Sequence, residues 1–184
     1  FLHCQRFAKP GKVLLGADSH TPTSGALGML AIGSGGLTVA EAALGQGFRM
    51  NAPKVMGVRL TGRLHPGVSA KDIALELLRQ VSVKGGIGYV VEYFGDGVAT
   101  LSISERQTIA NMSIELGATT GIFPSDEATR IFLEAQNRGN DYMPLQAEDG
   151  AGYDKIVDID LSALEPLTDQ AATRNYLSRQ LGGN

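Results

Sequence analysis

Short apolar runs punctuated by glycine recur along this chain, and their periods separate strands from helices. Residues 12–17 (KVLLGA) form a continuous apolar run suited to a buried strand, and the polar stretch Asp18-Ser19-His20-Thr21-Pro22-Thr23 follows at once. That order puts polar groups at the carboxyl end of a strand, where open α/β sheets bind their ligands. Residues 55–64 (VMGVRLTGRL) alternate, with Met56, Val58 and Leu60 on one face. Residues 89–94 (YVVEYF) and 156–161 (IVDIDL) read as further strands, and Gly121-Ile122-Phe123 as a short apolar crossing.

Helices are predicted between these runs. Ser24 caps a short one through Ile32, and Thr38-x-x-Glu41 has the form of a capping box for one that runs to Leu44 and stops at Gly45 and Gly47. Ser69-x-x-Asp72 opens another, whose Ile73, Leu75, Leu77, Leu78 and Val81 make one broad apolar face before Gly85-Gly86. A fourth begins near Ser104 and runs to Leu116, ended by Gly117. A fifth starts at Pro124-Ser125, with Asp126 and Glu127 at its positive end, and closes at Gly139. Alternating strands and helices predict the α/β class. Asn51-Ala52-Pro53-Lys54 reads as a linker, so residues 1–52 and 53–166 are expected to be separate domains. The polar tail, residues 167–184, has no strong apolar face and no assigned role.

Composition narrows the function classes. The 184 residues include 24 glycines, about twice the usual share, without a Gly-x-y period, so the glycines serve local backbone geometry. A net charge of −3, with no basic run and no Trp, argues against a nucleic-acid partner. Residues 21–40 are uncharged over roughly the length of a membrane span, but Pro22 and repeated glycines make them a packed soluble segment; no membrane association is expected. A single cysteine, Cys4, forms no internal disulfide, and no signal-peptide pattern is present, which points to a reducing compartment: the cytoplasm, or the mitochondrial matrix in a eukaryote. The chain opens on Phe1 without an initiator Met and reads as a piece of something larger.

Three constellations could carry chemistry. In Asp18-Ser19-His20, an acid beside an imidazole can orient it or share its proton, and the plainer reading is a capped turn with a surface histidine. Asn111 and Glu115 stand at i and i+4 on the fourth helix with Thr108 on the same face, opposite Ile109, Met112 and Leu116; a solvated polar face explains them equally. Gly33-x-Gly35-Gly36 before a helix resembles a phosphate cradle, but Thr38 stands where a dinucleotide fingerprint needs Gly or Ala, and Lys54-Val55 where it needs an acid. His3, Cys4 and His65 do not make a metal set, and one thiol cannot ligate an iron–sulfur cluster.

The segments PGKVLLGADSHTPTSGALGMLAIGSGGLTVAEAALG, PKVMGVRLTGRL, VKGGIGYVVEYFGDGV and TIANMSIELGATTGIFPSDE resemble the aconitase and isopropylmalate dehydratase (homoaconitase) superfamily. They occur in family order from about Phe7 to Leu167. The resemblance implies partial three-layer α/β/α domains, with residues 1–52 the end of a first and 53–166 a second. It implies a hydro-lyase that removes water from a 2-hydroxy di- or tricarboxylate and returns it at the neighbouring carbon, with a [4Fe-4S] cluster whose iron binds the substrate hydroxyl and a carboxylate. By the same resemblance Asp18 and His20 are catalytic groups beside the iron-bound oxygen, and Ser19 and Thr23 lie in the substrate pocket. Asn111 sits near the cluster, and Glu115 is a catalytic carboxylate near the iron-bound water. Thr23 stands where the tricarboxylate aconitases carry Asn. The family's cluster cysteines and the swivelling domain with its proton-abstracting serine have no counterpart in these residues. The chain is therefore expected to be an internal fragment, inactive and without a cluster when alone, whose partners are the missing cluster-ligand and swivelling domains or subunit. A different class of function, a non-catalytic ligand-binding or assembly domain that keeps the fold, is the alternative. The catalytic reading expects Asp18, His20 and Glu115 to face one open cleft.

Overall fold

A computed structural model describes residues 2–148 and 150–167. Two parallel sheets organise it. The first pairs β1 (Val13–Gly16) with β2 (Leu30–Gly33), in register from Val13–Leu30 to Gly16–Gly33. The second has the order β5-β4-β3-β6, from β3 (Lys54–Thr61), β4 (Tyr89–Phe94), β5 (Thr120–Ile122) and β6 (Lys155–Asp160). Helices α1 (Gly36–Ala43), α2 (Ala70–Val81), α3 (Ile103–Met112) and α4 (Glu127–Ala135) fill the connections, so the chain is α/β with parallel sheets and flanking helices. None of the described helices is long and apolar enough to cross a membrane.

The alternation in β3 decides where the main core lies. Met56, Val58 and Leu60 are buried and pack with Val91, Tyr93, Val157 and Ile159 of neighbouring strands against Ile73 and Leu77 of α2 and Ile109 and Ala110 of α3. Each such aliphatic side chain contributes about 1.5–3 kcal/mol on burial. Among the described residues the opposite face of this sheet carries no helix, and it shows Arg59, Ile156 and Asp158 to solvent. There the Tyr153 ring lies over Gly57, where a Cβ would come within 2.8 Å of it.

The start at Ser69 forms as read, while the one expected at Pro124-Ser125 moves to Asp126, because Ser125 pairs with Leu145 in a bridge. Asp72 accepts from the Ser69 N–H and hydroxyl at 2.6 and 2.7 Å and opens α2, and Asp126 caps α4 by accepting from Ala128 and Thr129. Burial pushes the Asp72 carboxyl up, but donors from Leu167, Ser69 and its own amide more than offset it and leave it below its ordinary value. That cap is complete above the ordinary Asp range and is lost as pH falls through the lowered value.

Other starts shift. The helix expected from Ser24 through Ile32 is a 3₁₀ segment, Thr21–Leu27, followed by β2. Pro22 fits its first turn, Gly28 ends it at φ 77°, and pairing with β1 claims Leu30 onward. Thr38 lies inside α1, which starts from Gly35 without a side-chain cap, so the Thr38–Glu41 box does not form. The fourth helix begins at Ser102 rather than Ser104, because Glu105 reaches back to the Ser102 N–H and hydroxyl, both at 2.7 Å. It then tightens at Ser113–Leu116 into a 3₁₀ turn. After α2 the left-handed residue is Ser82, at φ 70°, ahead of Gly85-Gly86.

The segments join through a second core: Cys4, Ala8, Leu27 and Met29 pack with Ile103 of α3 and Leu133 of α4. Arg138 fixes the first turn, donating to Cys4 O at 3.0 Å and Ala8 O at 2.5 Å while pairing with Asp141. A seam of bare backbone completes the junction. Phe123 N–H donates to Gly25 O at 2.9 Å, and a Cβ on Gly25 would stand 1.8 Å from Gly121 O.

Candidate active site

The sharp turn after β1 positions the first wall. Gly16 admits Thr21 against the strand end, where a Cβ would lie 2.3 Å from Thr21 Oγ1. Thr21 donates to Asp18 O from both its N–H and its hydroxyl, at 3.0 and 2.6 Å, and this closes the loop. Asp18 Oδ1 then accepts from the His20 N–H at 2.8 Å and lies 2.9 Å from His20 Nδ1. The His20 backbone and ring contacts hold the exposed Asp18 carboxyl below its ordinary value. An ionised carboxylate only accepts, so the proton belongs on Nδ1 and the Nε2 lone pair is left free.

Helix α3 is the second wall. Ser104, Gln107, Thr108, Asn111 and Met112 recur at helical spacing on one side, and together with Asp18, His20, Thr23, Leu2 and His3 they line an open cleft of about 650 Å³. Asn111 Nδ2 donates to Ser19 O at 3.0 Å and ties the loop to the helix. Arg106 faces away from the cleft. Fully buried, it pairs with Asp126 at 2.7 and 2.8 Å, donates to Val98 O at 3.0 Å and lies over the Phe123 ring. This ion pair fixes α3 relative to the start of α4.

The expected site residues separate into groups. Asp18, His20, Thr23 and Asn111 share the cleft, while Ser19 faces a neighbouring hollow of about 510 Å³ that Asp18 also lines, with Pro22, Gly33, Ser34, Ile114 and Thr119. Glu115 is exposed and lines neither space. The expected i, i+4 alignment with Asn111 fails because the helix tightens after Met112. Steps of about 120° rather than 100° per residue swing Glu115 roughly 60° further round the axis. His65 is exposed on the far side of the fold, with Nε2 2.5 Å from Ser162 O. Ser104 and Gln107, absent from the expected set, were detectable as the i−7 and i−4 positions relative to Asn111.

The donors on this chain do not fit as ligands of a metal cluster. Among the described residues there is no group of three or more His, Cys, Asp or Glu able to hold a metal ion. The one thiol, Cys4, is buried and donates to Thr23 O at 3.4 Å, and its burial pushes the thiol pKa up, away from the thiolate that iron requires.

Known proteins resemble this chain along most of its length. The model of the aconitase family (aconitate hydratase) matches residues 3–174. The chain is 45% identical over 172 residues to the mitochondrial homocitrate dehydratase of Saccharomyces cerevisiae, covering 88% of this chain and 22% of that protein. It is also 45% identical over 170 residues to the mitochondrial aconitate hydratase of the same yeast, and 43% over 169 residues to the probable mitochondrial aconitate hydratase of Caenorhabditis elegans, each again covering 88% of this chain and 22% of the relative. The chain thus spans about a fifth of the length of these relatives. Because the match runs through both walls of the cleft and on past the last described strand, the chain belongs to the aconitase family.

Proposed function

We propose that this chain builds one wall of the active site of an aconitase-type hydro-lyase, acting on a 2-hydroxy di- or tricarboxylate. The observation that carries the reading is the Asp18–His20 pair, held in a tight loop, anchored to α3 by Asn111 and open to a cleft. Any [4Fe-4S] cluster of the full-length protein takes its thiolates from outside these residues, and no step below passes through it.

His20 moves the proton at the substrate oxygen. In dehydration the C–O bond breaks with its electron pair on oxygen, and His20 Nε2, protonated beforehand, delivers a proton that completes water. Asp18 steadies the imidazolium through Nδ1–H. In hydration the neutral Nε2 takes a proton from water as the new C–O bond forms. The carbon-bound proton is handled by a base outside this chain. Thr23 supplies a hydroxyl to substrate in the cleft, Ser19 a second from the adjoining hollow, and Asn111 keeps the loop in place beside the cofactor. Glu115, exposed here, takes up its implied catalytic place near the departing water only once residues beyond this chain enclose it. The mitochondrial location in the relatives' names makes the matrix the compartment we assign.

In the full-length enzyme, His20→Gln is expected to lower kcat by about 10²–10⁴-fold. Asp18→Asn is expected to lower it substantially as well, since an amide can donate to Nδ1 and favour the wrong tautomer. Steady-state kinetics of both variants check this. Turnover within twofold of the parent for His20→Gln, with only ligand affinity changed, would favour a binding or assembly domain.

A further inference from the structure

We infer that Gln107 is a specificity-determining residue of this cleft, selecting substrates whose variable arm ends in a carboxylate over those whose arm is an alkyl group. The inference rests on the hydro-lyase reading and extends it to the choice among hydroxy acids.

The placement of Gln107 is unusual for its residue type. It is 7% exposed, yet it lies in the row of α3 side chains that lines the cleft, between Ser104 and Asn111. Long polar side chains are rarely buried unless their polar atoms are used. Its carboxamide lies against Cys4, whose thiol pKa burial raises and Gln107 partly restores. The same sulfur donates to the backbone oxygen of Thr23, the other cleft residue at this level. Gln107 and Thr23 are therefore backed by one buried atom, which limits how far either can retreat from a bound molecule.

The rest of the lining decides what Gln107 reads. Among the described residues no Lys or Arg lines the cleft, so apart from the His3 and His20 imidazoles, and against the Asp18 carboxylate, this wall offers an anionic substrate only neutral donors: the carboxamide N–H groups of Gln107 and the hydroxyls of Ser104, Thr108 and Thr23. A carboxylate-ended arm uses those donors. An alkyl arm would strip water from the carboxamide and replace none of its hydrogen bonds. Sites built to hydrogen-bond a group reject analogues that lack it far more strongly than apolar pockets reject an added group.

The test uses the full-length enzyme with citrate, which carries a third carboxylate arm, and 2-isopropylmalate, which carries an alkyl arm. The second compound is read as a competitive inhibitor if it does not turn over. Gln107→Met keeps the length of the side chain and removes its donors. It is expected to lower kcat/KM for citrate at least tenfold relative to the kcat/KM or inverse inhibition constant for 2-isopropylmalate, mostly through KM. Gln107→Glu keeps polar packing if the Met variant fails to fold, and its charge should repel the third carboxylate while sparing the alkyl compound by the same ratio. Parallel losses for both compounds, leaving the ratio within twofold, would show a purely structural role and overturn the inference. A parent enzyme that neither turns over nor binds either compound, and turns over no other 2-hydroxy di- or tricarboxylate such as homocitrate, would instead overturn the hydro-lyase reading, and this inference with it.

Discussion

Residues 21–32 and 36–50 are neighbours in sequence, both rich in glycine and small apolar residues, and the fold treats them oppositely. In the first, Thr21, Pro22, Ser24, Gly25, Ala26 and Leu27 are all buried. In the second no residue is buried, and Leu37 and Leu44 stay 76% and 81% exposed. Composition does not separate the two. What separates them is a surface to pack on: the first rests on α3 and β5, while α1 touches little beyond the edge of the two-stranded sheet. The cleft belongs to the supported segment. Leu37, Leu44, Phe48 and Met50 are left exposed in and after α1.

Three variants test that contrast. Arg106→Met should have the largest effect, because it leaves Asp126 without its partner and frees the shared support of α3 and α4. Breaking a fully buried pair from one side costs about 3–5 kcal/mol; because Asp126 is 30% exposed and keeps its N–H donors, urea unfolding should show a loss at the lower end, about 3 kcal/mol, with residues 21–32 loosening as well. A loss below about 1 kcal/mol would mean that the support does not depend on the pair. Gly25→Ala should cost about 1–3 kcal/mol by forcing the backbone seam apart, and the Phe123 amide, which donates to Gly25 O, should exchange faster with deuterium. Unchanged protection of Phe123 would count against the seam. Leu37→Glu with Leu44→Glu should change the stability of the isolated chain by no more than about 0.5 kcal/mol, and a larger loss by thermal unfolding would show that α1 is held after all.

Strands were legible wherever a period of two or a continuous apolar run sat between glycines, as in β1, β3, β4 and β6. Caps were legible where the acid three residues on was free to reach back, as at Ser69 and Asp72. Thr38 failed because the backbone already turns helical at Gly36, so the residue meant to cap is inside the helix. The helix expected through Ile32 failed because a local helical preference in small residues yields to strand pairing with residues far enough along the chain to be invisible to a short window. In the site, adjacency made Asp18 and His20 legible. Asn111 pointed to the right face of its helix, while Glu115 did not, since a change from α to 3₁₀ geometry leaves no mark in spacing. Nothing in the sequence marks Arg106 as buried or names its partner twenty residues away.

The tie between Asn111 and Ser19 also sets an order of events during synthesis. The Asp-Ser-His loop leaves the ribosome before its supports: the amide that anchors it, the seam residue Phe123 and the Arg138 that grips the first turn all follow about a hundred residues later. At roughly 5–20 residues per second, this loop waits on the order of ten seconds without its opposing wall. During that interval Leu27, Met29 and Ile32, buried in the finished fold, lack the α3 and β5 surfaces that cover this segment.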